Sequence, residues 1–211
     1  MGGGAVSTSV AEPVSPDLPS SDGFRRRLLD GLAASIEERG YRESTVADIV
    51  RHARTSKRTF YDQFSGKEQC FAELLAANTE DLVVSVRAAV DPEAPWADQV
   101  RQAVTAYVQT IQERPAITLS WIRELPALGE GARPMLRRGF GLLTAMIVDL
   151  TGNLGFRRAG ISPTSQAAAV ILVGGLRELT AQTVEDGAAV DDIIEPALAV
   201  SLAILGPKAT A

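Results

Sequence analysis

The sequence predicts an all-α protein of about nine helices, and three observations lead there. Apolar residues recur at spacings of three and four in almost every segment after residue 23, the period of one helix face. Helix-bounding signals delimit those segments, an opening Pro95 and stops at Gly40, Pro115, Pro126 and Gly206-Pro207. No two alternating apolar and polar runs flank a turn signal, so no strand pair is expected, and no internal repeat is seen. The chain has 211 residues, 45% hydrophobic and 22% charged, enough for one or two domains with a real core.

Residues 1–22 are rich in Gly, Pro and Ser and lack a hydrophobic period, so they are predicted to be a mobile tail without a site. The first helix follows from Phe24, Leu28, Leu32 and Ile36, with Leu29 alongside and Gly40 as its stop. Its opening Arg25-Arg26-Arg27 reads either as a solvated face or as a reach toward flanking phosphates. A second helix starts at Thr45, with Asp48 at capping-box spacing, and buries Val46, Ile49, Val50 and Ala53. After a break at Arg54-Thr55, Ser56 caps a third helix with Phe60 and Phe64 on one face. Ser65 and Glu68 have capping-box spacing for a long fourth helix, running to about Val90 with Phe71, Leu74, Leu75, Leu82 and Val86 inward.

The third helix leaves Lys57, Arg58, Thr59, Tyr61 and Gln63 opposite its two phenylalanines. Long cations, a hydroxyl, a phenol and an amide are the groups that bond phosphates and base edges in a major groove. From Arg51 to Lys67 five cations (Arg51, Arg54, Lys57, Arg58, Lys67) stand against Asp62, a local net of +4 in a chain of −5. Residues 71–211 carry 11 basic and 16 acidic side chains, so the positive field is confined to this stretch, as expected if only this surface meets nucleic acid.

Enzymatic classes fail on inventory. The single histidine, His52, lies between Arg51 and Arg54, far in sequence from any triad context, and reads as a surface residue near phosphate. Neither HExxH nor a P-loop occurs, and Gly139-Phe140-Gly141 lacks a third glycine and a preceding strand. The lone Cys70 excludes an internal disulfide and a cysteine zinc site, so no catalytic residue, metal or cofactor is expected. The competing class is an all-helical ligand-binding or scaffolding protein.

The run TVADIVRHARTSKRTFYDQFSGKEQCFAELL, from Thr45 to Leu75, is similar to the helix-turn-helix signature of TetR-type transcriptional regulators. The Ser-Lys-x-Thr-apolar-Tyr-x-x-Phe core at Ser56–Phe64 and the following Lys67-Glu68 carry the resemblance, which covers about Phe24 to Leu75. It implies a DNA-binding domain at 23–69 joined to a ligand-binding and dimerisation domain at 70–211. It also implies a cytoplasmic homodimer on an operator with paired half-sites, most often a repressor released by a small-molecule effector. By the same resemblance Arg58 and Lys57 reach base edges, while Thr45, Thr59, Tyr61, Gln63 and Lys67 fix the DNA backbone. One departure is the turn, where Ala53-Arg54-Thr55 replaces the family's usual glycine. Either Arg54 accepts a left-handed conformation or the turn has another shape.

The rest divides into helices at 96–113, 116–125, 132–150, 162–185 and 191–205. Tyr107, Trp121, Phe140, Leu143 and Met146, with Arg123 nearby, are scattered over three of them. The resemblance places an effector pocket there, although aromatic residues at helical spacing also serve as plain core. The last two helices are apolar nearly all round and rich in small residues, which suits burial against a second subunit, with Leu172 and Leu202 as central positions. No apolar run long enough to cross a membrane is expected.

Overall fold

The computed structural model describes residues 21–207. Ten α-helices follow one another: α1 Ser21–Glu43, α2 Val46–His52, α3 Lys57–Gln63, α4 Lys67–Ala89, α5 Trp96–Glu113, α6 Pro115–Ala127, α7 Arg133–Leu150, α8 Leu154–Arg158, α9 Gln166–Glu185 and α10 Ile194–Leu205. Short 3₁₀ turns precede α7 and α10, and no strand occurs among the described residues. The all-α expectation holds. Helix α1 already contains Ser21 and Asp22, and the rest of the expected tail lies outside the described residues.

Several boundaries shift for local reasons. Gly40 leaves helical space (φ 79, ψ 164), so the rod of α1 ends there and Tyr41–Glu43 form a separate turn. Pro126 does not end α6 but sits inside it, leaving the Ile122 carbonyl without its usual donor four residues on. The Ser65–Glu68 capping box does not form. Ser65 bonds instead to Gln69, through its backbone N–H at 2.6 Å and its hydroxyl at 2.9 Å, and Gly66 becomes the cap of α4. Helix α9 starts later than the sequence implied because Ser165 caps it, accepting the Ala168 N–H at 3.2 Å. The five-residue α8 has too short an apolar period to be seen in sequence.

One core runs without a break from the helix-turn-helix unit into the C-terminal helices. Leu28, Ile36, Ile49, Phe60 and Phe64 belong to the same buried cluster as Phe71 and Leu75 of α4 and as Trp121 and Leu143 beyond it. Tyr41 stacks on Phe71 with ring centres 3.8 Å apart. Cys70 is part of this core. Burial pushes its thiol up to about 12, so it packs as a small apolar group and is no thiolate sensor at neutral pH. A second cluster, with Val104, Phe156, Leu172 and Leu198, holds α5, α8, α9 and α10 together.

Contrary to the expectation that no run is long enough, α9 is by length and composition the one described helix able to cross a membrane, and 28% of its apolar window is buried within the chain. It turns Leu172 and Val173 inward and leaves Ile171 67% exposed beside Val170 at 45%. Leu172, expected at the centre of a subunit interface, is 3% exposed and belongs to the chain's own core. The outward apolar positions are one residue away on the helix.

Candidate DNA-reading face and ligand cavity

The two short helices are set by their caps. Thr45 and Asp48 form the expected reciprocal capping box, with the Asp48 N–H on Thr45 Oγ1 at 3.3 Å and the Thr45 N–H on Asp48 Oδ2 at 3.1 Å. At the other end of α2 the Thr55 N–H reaches the Val50 carbonyl at 3.0 Å and the Arg54 N–H reaches Arg51 at 3.3 Å. That pair of bonds is a Schellman closure, which requires a left-handed residue at Arg54, and Arg54 has φ 50. Of the two readings of this turn, the structure gives the first: arginine accepts the glycine conformation. Arg54→Gly is therefore expected to raise stability by ~1 kcal/mol in a denaturant titration, because the left-handed penalty of an L-residue disappears.

Ser56 then caps α3, accepting the Thr59 N–H at 3.1 Å. Phe60 and Phe64 are buried, while Lys57, Arg58 and Tyr61 are exposed, Tyr61 by 58%. Thr59 is half-buried with its hydroxyl 3.0 Å from Ser56 Oγ. Gln63 is half-buried at the end of α3, where its carbonyl accepts Arg25 Nη1 at 2.8 Å.

The cations of this region fall into two groups. Arg51 and His52 both lie 2.9 Å from Glu38 of α1, and with Arg39 they hold the Glu38 carboxyl down at about 2. This surface clamp is intact at neutral pH; its contribution to stability declines below pH 4.5 and is lost as pH falls through about 2, where Glu38 protonates. His52 is thus paired across the α1–α2 contact instead of standing free for phosphate. Arg25 is likewise turned inward: it forks onto Glu73 of α4 and lies 4.4 Å over the Phe64 ring.

Lys67, expected on the DNA backbone, is turned inward too. Its ammonium donates to the carbonyls of Ser44 at 2.8 Å, Tyr41 at 3.0 Å and Arg42 at 3.3 Å, closing the end of α1, and sits 4.3 Å from the Tyr41 ring centre. Lys67→Ala is expected to cost ~2–3 kcal/mol of stability and to leave the salt dependence of DNA binding unchanged. What remains is Arg54, Lys57 and Arg58, with no carboxylate partner among the described residues, flanking the exposed Tyr61. Arg54 was not among the expected contacts. Its place in the turn, beside the start of α3, is the signal that sequence reading overlooked.

The second feature is a largely apolar, partly open cavity of about 130 Å³ bounded by the far half of α4 with α5, α6, α7, α9 and α10. That is room for about four water molecules, close to the ~150 Å³ of a cavity that takes benzene, the scale of a small organic ligand. Tyr107, Trp121, Leu143 and Met146 line it as expected. Phe140 does not. Its ring lies behind Trp121, stacked at 6.0 Å, so it supports the wall. Arg123 points away and pairs with Glu178 at 2.9 Å and Glu185 at 2.7 Å. The Tyr107 hydroxyl is 2.6 Å from Thr180 Oγ1, and burial pushes its phenol up to about 12. Sequence reading missed Val104, Phe156 and Leu172, whose apolar spacing looks like ordinary core, and Arg177, a lone cation ending an apolar run.

Helix α4 joins the two features. Its first two turns hold Lys67 and Glu73 against α1, and its later turns place Thr79, Leu82 and Val86 in the cavity wall. Among proteins of known type, residues 28–74 match the family described as bacterial regulatory proteins, tetR family. The HTH-type transcriptional repressor KstR2 of Rhodococcus jostii (strain RHA1) is 34% identical over 73 residues, 35% of this chain, and the match spans about a third (36%) of that relative's length. The fold extends over nearly the whole chain. It matches the fatty acid degradation regulator FadR of Bacillus halodurans (TM-score 0.68, 17% identity, 89% of this chain and 97% of that one). It also matches FadR of Bacillus subtilis in complex with stearoyl-CoA (0.68, 14%, 87% and 99%) and a tetR-family regulatory protein of Rhodococcus RHA1 (0.67, 17%, 88% and 98%). Residues 28–74 are thus similar to the tetR family of bacterial regulatory proteins, and nearly the whole chain shares the fold of these solved regulators.

Proposed function

We propose that the protein is a homodimeric, sequence-specific DNA-binding transcriptional regulator of the cytoplasm, a repressor that a small-molecule effector releases from an operator with paired half-sites. One observation carries this reading: Arg54, Lys57 and Arg58, which have no carboxylate partner among the described residues, lie with the exposed Tyr61 on the turn and α3, and α4 runs from that unit into the wall of an apolar cavity. The likeness of the DNA-reading segment to a transcriptional repressor supports the direction of control. The stearoyl-CoA complex of one relative of the same fold supports an apolar effector.

In this reading Arg58, with Lys57, contacts base edges, and Arg54, Thr45, Thr59, Tyr61 and Gln63 contact phosphates. Tyr107, Trp121, Leu143 and Met146 contact the effector, with Phe140 behind them. Selecting bound fragments from random DNA identifies the operator and tests the reading at once. On that operator Arg58→Ala should relax sequence preference at one position per half-site and cost ~1–3 kcal/mol. Unchanged preference in the variant would remove Arg58 from base readout, and no enrichment of any sequence would defeat the proposal. Effector and operator must weaken each other's binding by the same factor, typically ~5- to 150-fold.

A further inference from the structure

Arg177 is the one charged residue in the cavity lining. Its side chain enters from α9 and donates through Nη2 to the Ile122 carbonyl at 2.5 Å, the carbonyl that Pro126 leaves without a helical donor. That bond fixes the guanidinium, whose carbon lies 5.1 Å from the Trp121 ring centre and 5.6 Å from that of Phe140. The other donors are unused: Nε is buried with no hydrogen-bond partner, and Nη1 makes no bond. No carboxylate pairs with Arg177 among the described residues, because its neighbours Glu178 and Glu185 are both engaged by Arg123 on the outside of α9. Burial, and then the nearby Arg123, disfavours its charge, with Glu178 acting weakly in the opposite sense.

Arg177 is half-buried, and an unpaired cation on an apolar wall is costly; two aromatic faces and its remaining exposure offset only part of that cost. Satisfying the Ile122 carbonyl alone needs one neutral donor. A charged fork held in place, with unused N–H groups and no counter-ion, is arranged for an anion that arrives from elsewhere. Most of the remaining lining, Val104, Phe156, Leu172 and Leu205 among it, is apolar and suits a hydrocarbon body, with neutral polar groups such as Thr79, Thr110 and Ser201 between.

We propose that Arg177 receives the acidic group of a small apolar carboxylate lodged in the cavity, whose hydrocarbon part lies among Val104, Phe156 and Leu172. The proposal rests on the reading of the cavity as the effector site, and it adds the chemical class of the effector. Binding would place a full negative charge against the group that also holds α6 through Ile122, so the ligand grips α6 and α9 together.

The test titrates the full-length protein at neutral pH, by calorimetry, with straight-chain carboxylates of six to ten carbons and with the primary alcohols of equal length. Acids are expected to bind about tenfold tighter or more than the matching alcohols, and Arg177→Gln, which keeps an N–H donor, should abolish that preference. Alcohols binding as well as acids would overturn the anion while leaving the cavity reading intact, and binding by neither series would defeat both. A second measurement needs no variant. Bound octanoate labelled with ¹³C at its carboxyl should titrate at lower pH than free octanoate if it faces Arg177, whereas burial without a cation would move that titration upward and overturn the proposal.

Discussion

Gly31→Ala is expected to unseat α2 from α1 and to destroy specific DNA binding, although it adds one methyl group and improves helix propensity. A Cβ at position 31 would lie 2.6 Å from the Ile49 carbonyl oxygen, 3.0 Å from the Ala53 nitrogen and 3.1 Å from the Ala53 Cβ. Two of those atoms are backbone, so no rotamer change relieves the contact and the helices must move apart. Overpacking of this kind costs ~1–3 kcal/mol or more, against a gain of up to ~1 kcal/mol from replacing glycine in a helix. The displacement also falls where aim matters, because Ile49 and Ala53 lie immediately before the turn that orients α3. Thermal unfolding should show a lower midpoint, and operator affinity should fall toward the non-specific level. A variant that melts and binds like the wild type would show that α1 and α2 do not need this approach.

The contrast between what sequence revealed and what it concealed follows from the range of each interaction. Caps at Thr45 and Ser56 and the alternate faces of α3 depend on residues three or four apart, and they are present as read. The Schellman turn was legible as a choice between two shapes, since it too is local. The misplaced residues are those whose partners are distant in sequence. The resemblance placed Lys67 on the DNA backbone, yet the carbonyls it closes lie more than twenty residues earlier, at 41, 42 and 44. The Arg25 fork onto Glu73 and the link from Arg177 to the Ile122 carbonyl bridge 48 and 55 residues. For the cavity, sequence offered aromatic residues on helices, and four of five line it; Phe140 is one ring too far back, a distinction that depends on how α6 and α7 pack.

The largest loss of function is expected from the outer face of α9 and α10. Ile171 is 67% and Val200 50% exposed in the single chain, and Cβ atoms built at Gly174 and Gly175 would meet nothing within 4 Å. Glycine inside a helix costs ~0.5–1 kcal/mol relative to alanine, and no contact within this chain requires it at either position. Small residues beside exposed Val170 and Ile171 fit close packing of a second copy across a two-fold axis. Ile171→Glu with Val200→Glu should therefore convert a dimer to folded monomers in light scattering, with the melting transition of the chain retained. Leu172→Glu, one residue away but 3% exposed, should unfold the protein instead. Separate monomers lose the advantage of a second tethered half-site, so operator binding by the double variant should weaken by ~10²–10⁴-fold while non-specific binding changes little. Half-sites should lie one turn of DNA apart, ~34–36 Å, or a multiple of it. If the double variant remains dimeric, the subunits meet elsewhere; if the wild type is monomeric at micromolar concentration, the paired operator is lost from the proposed function as well.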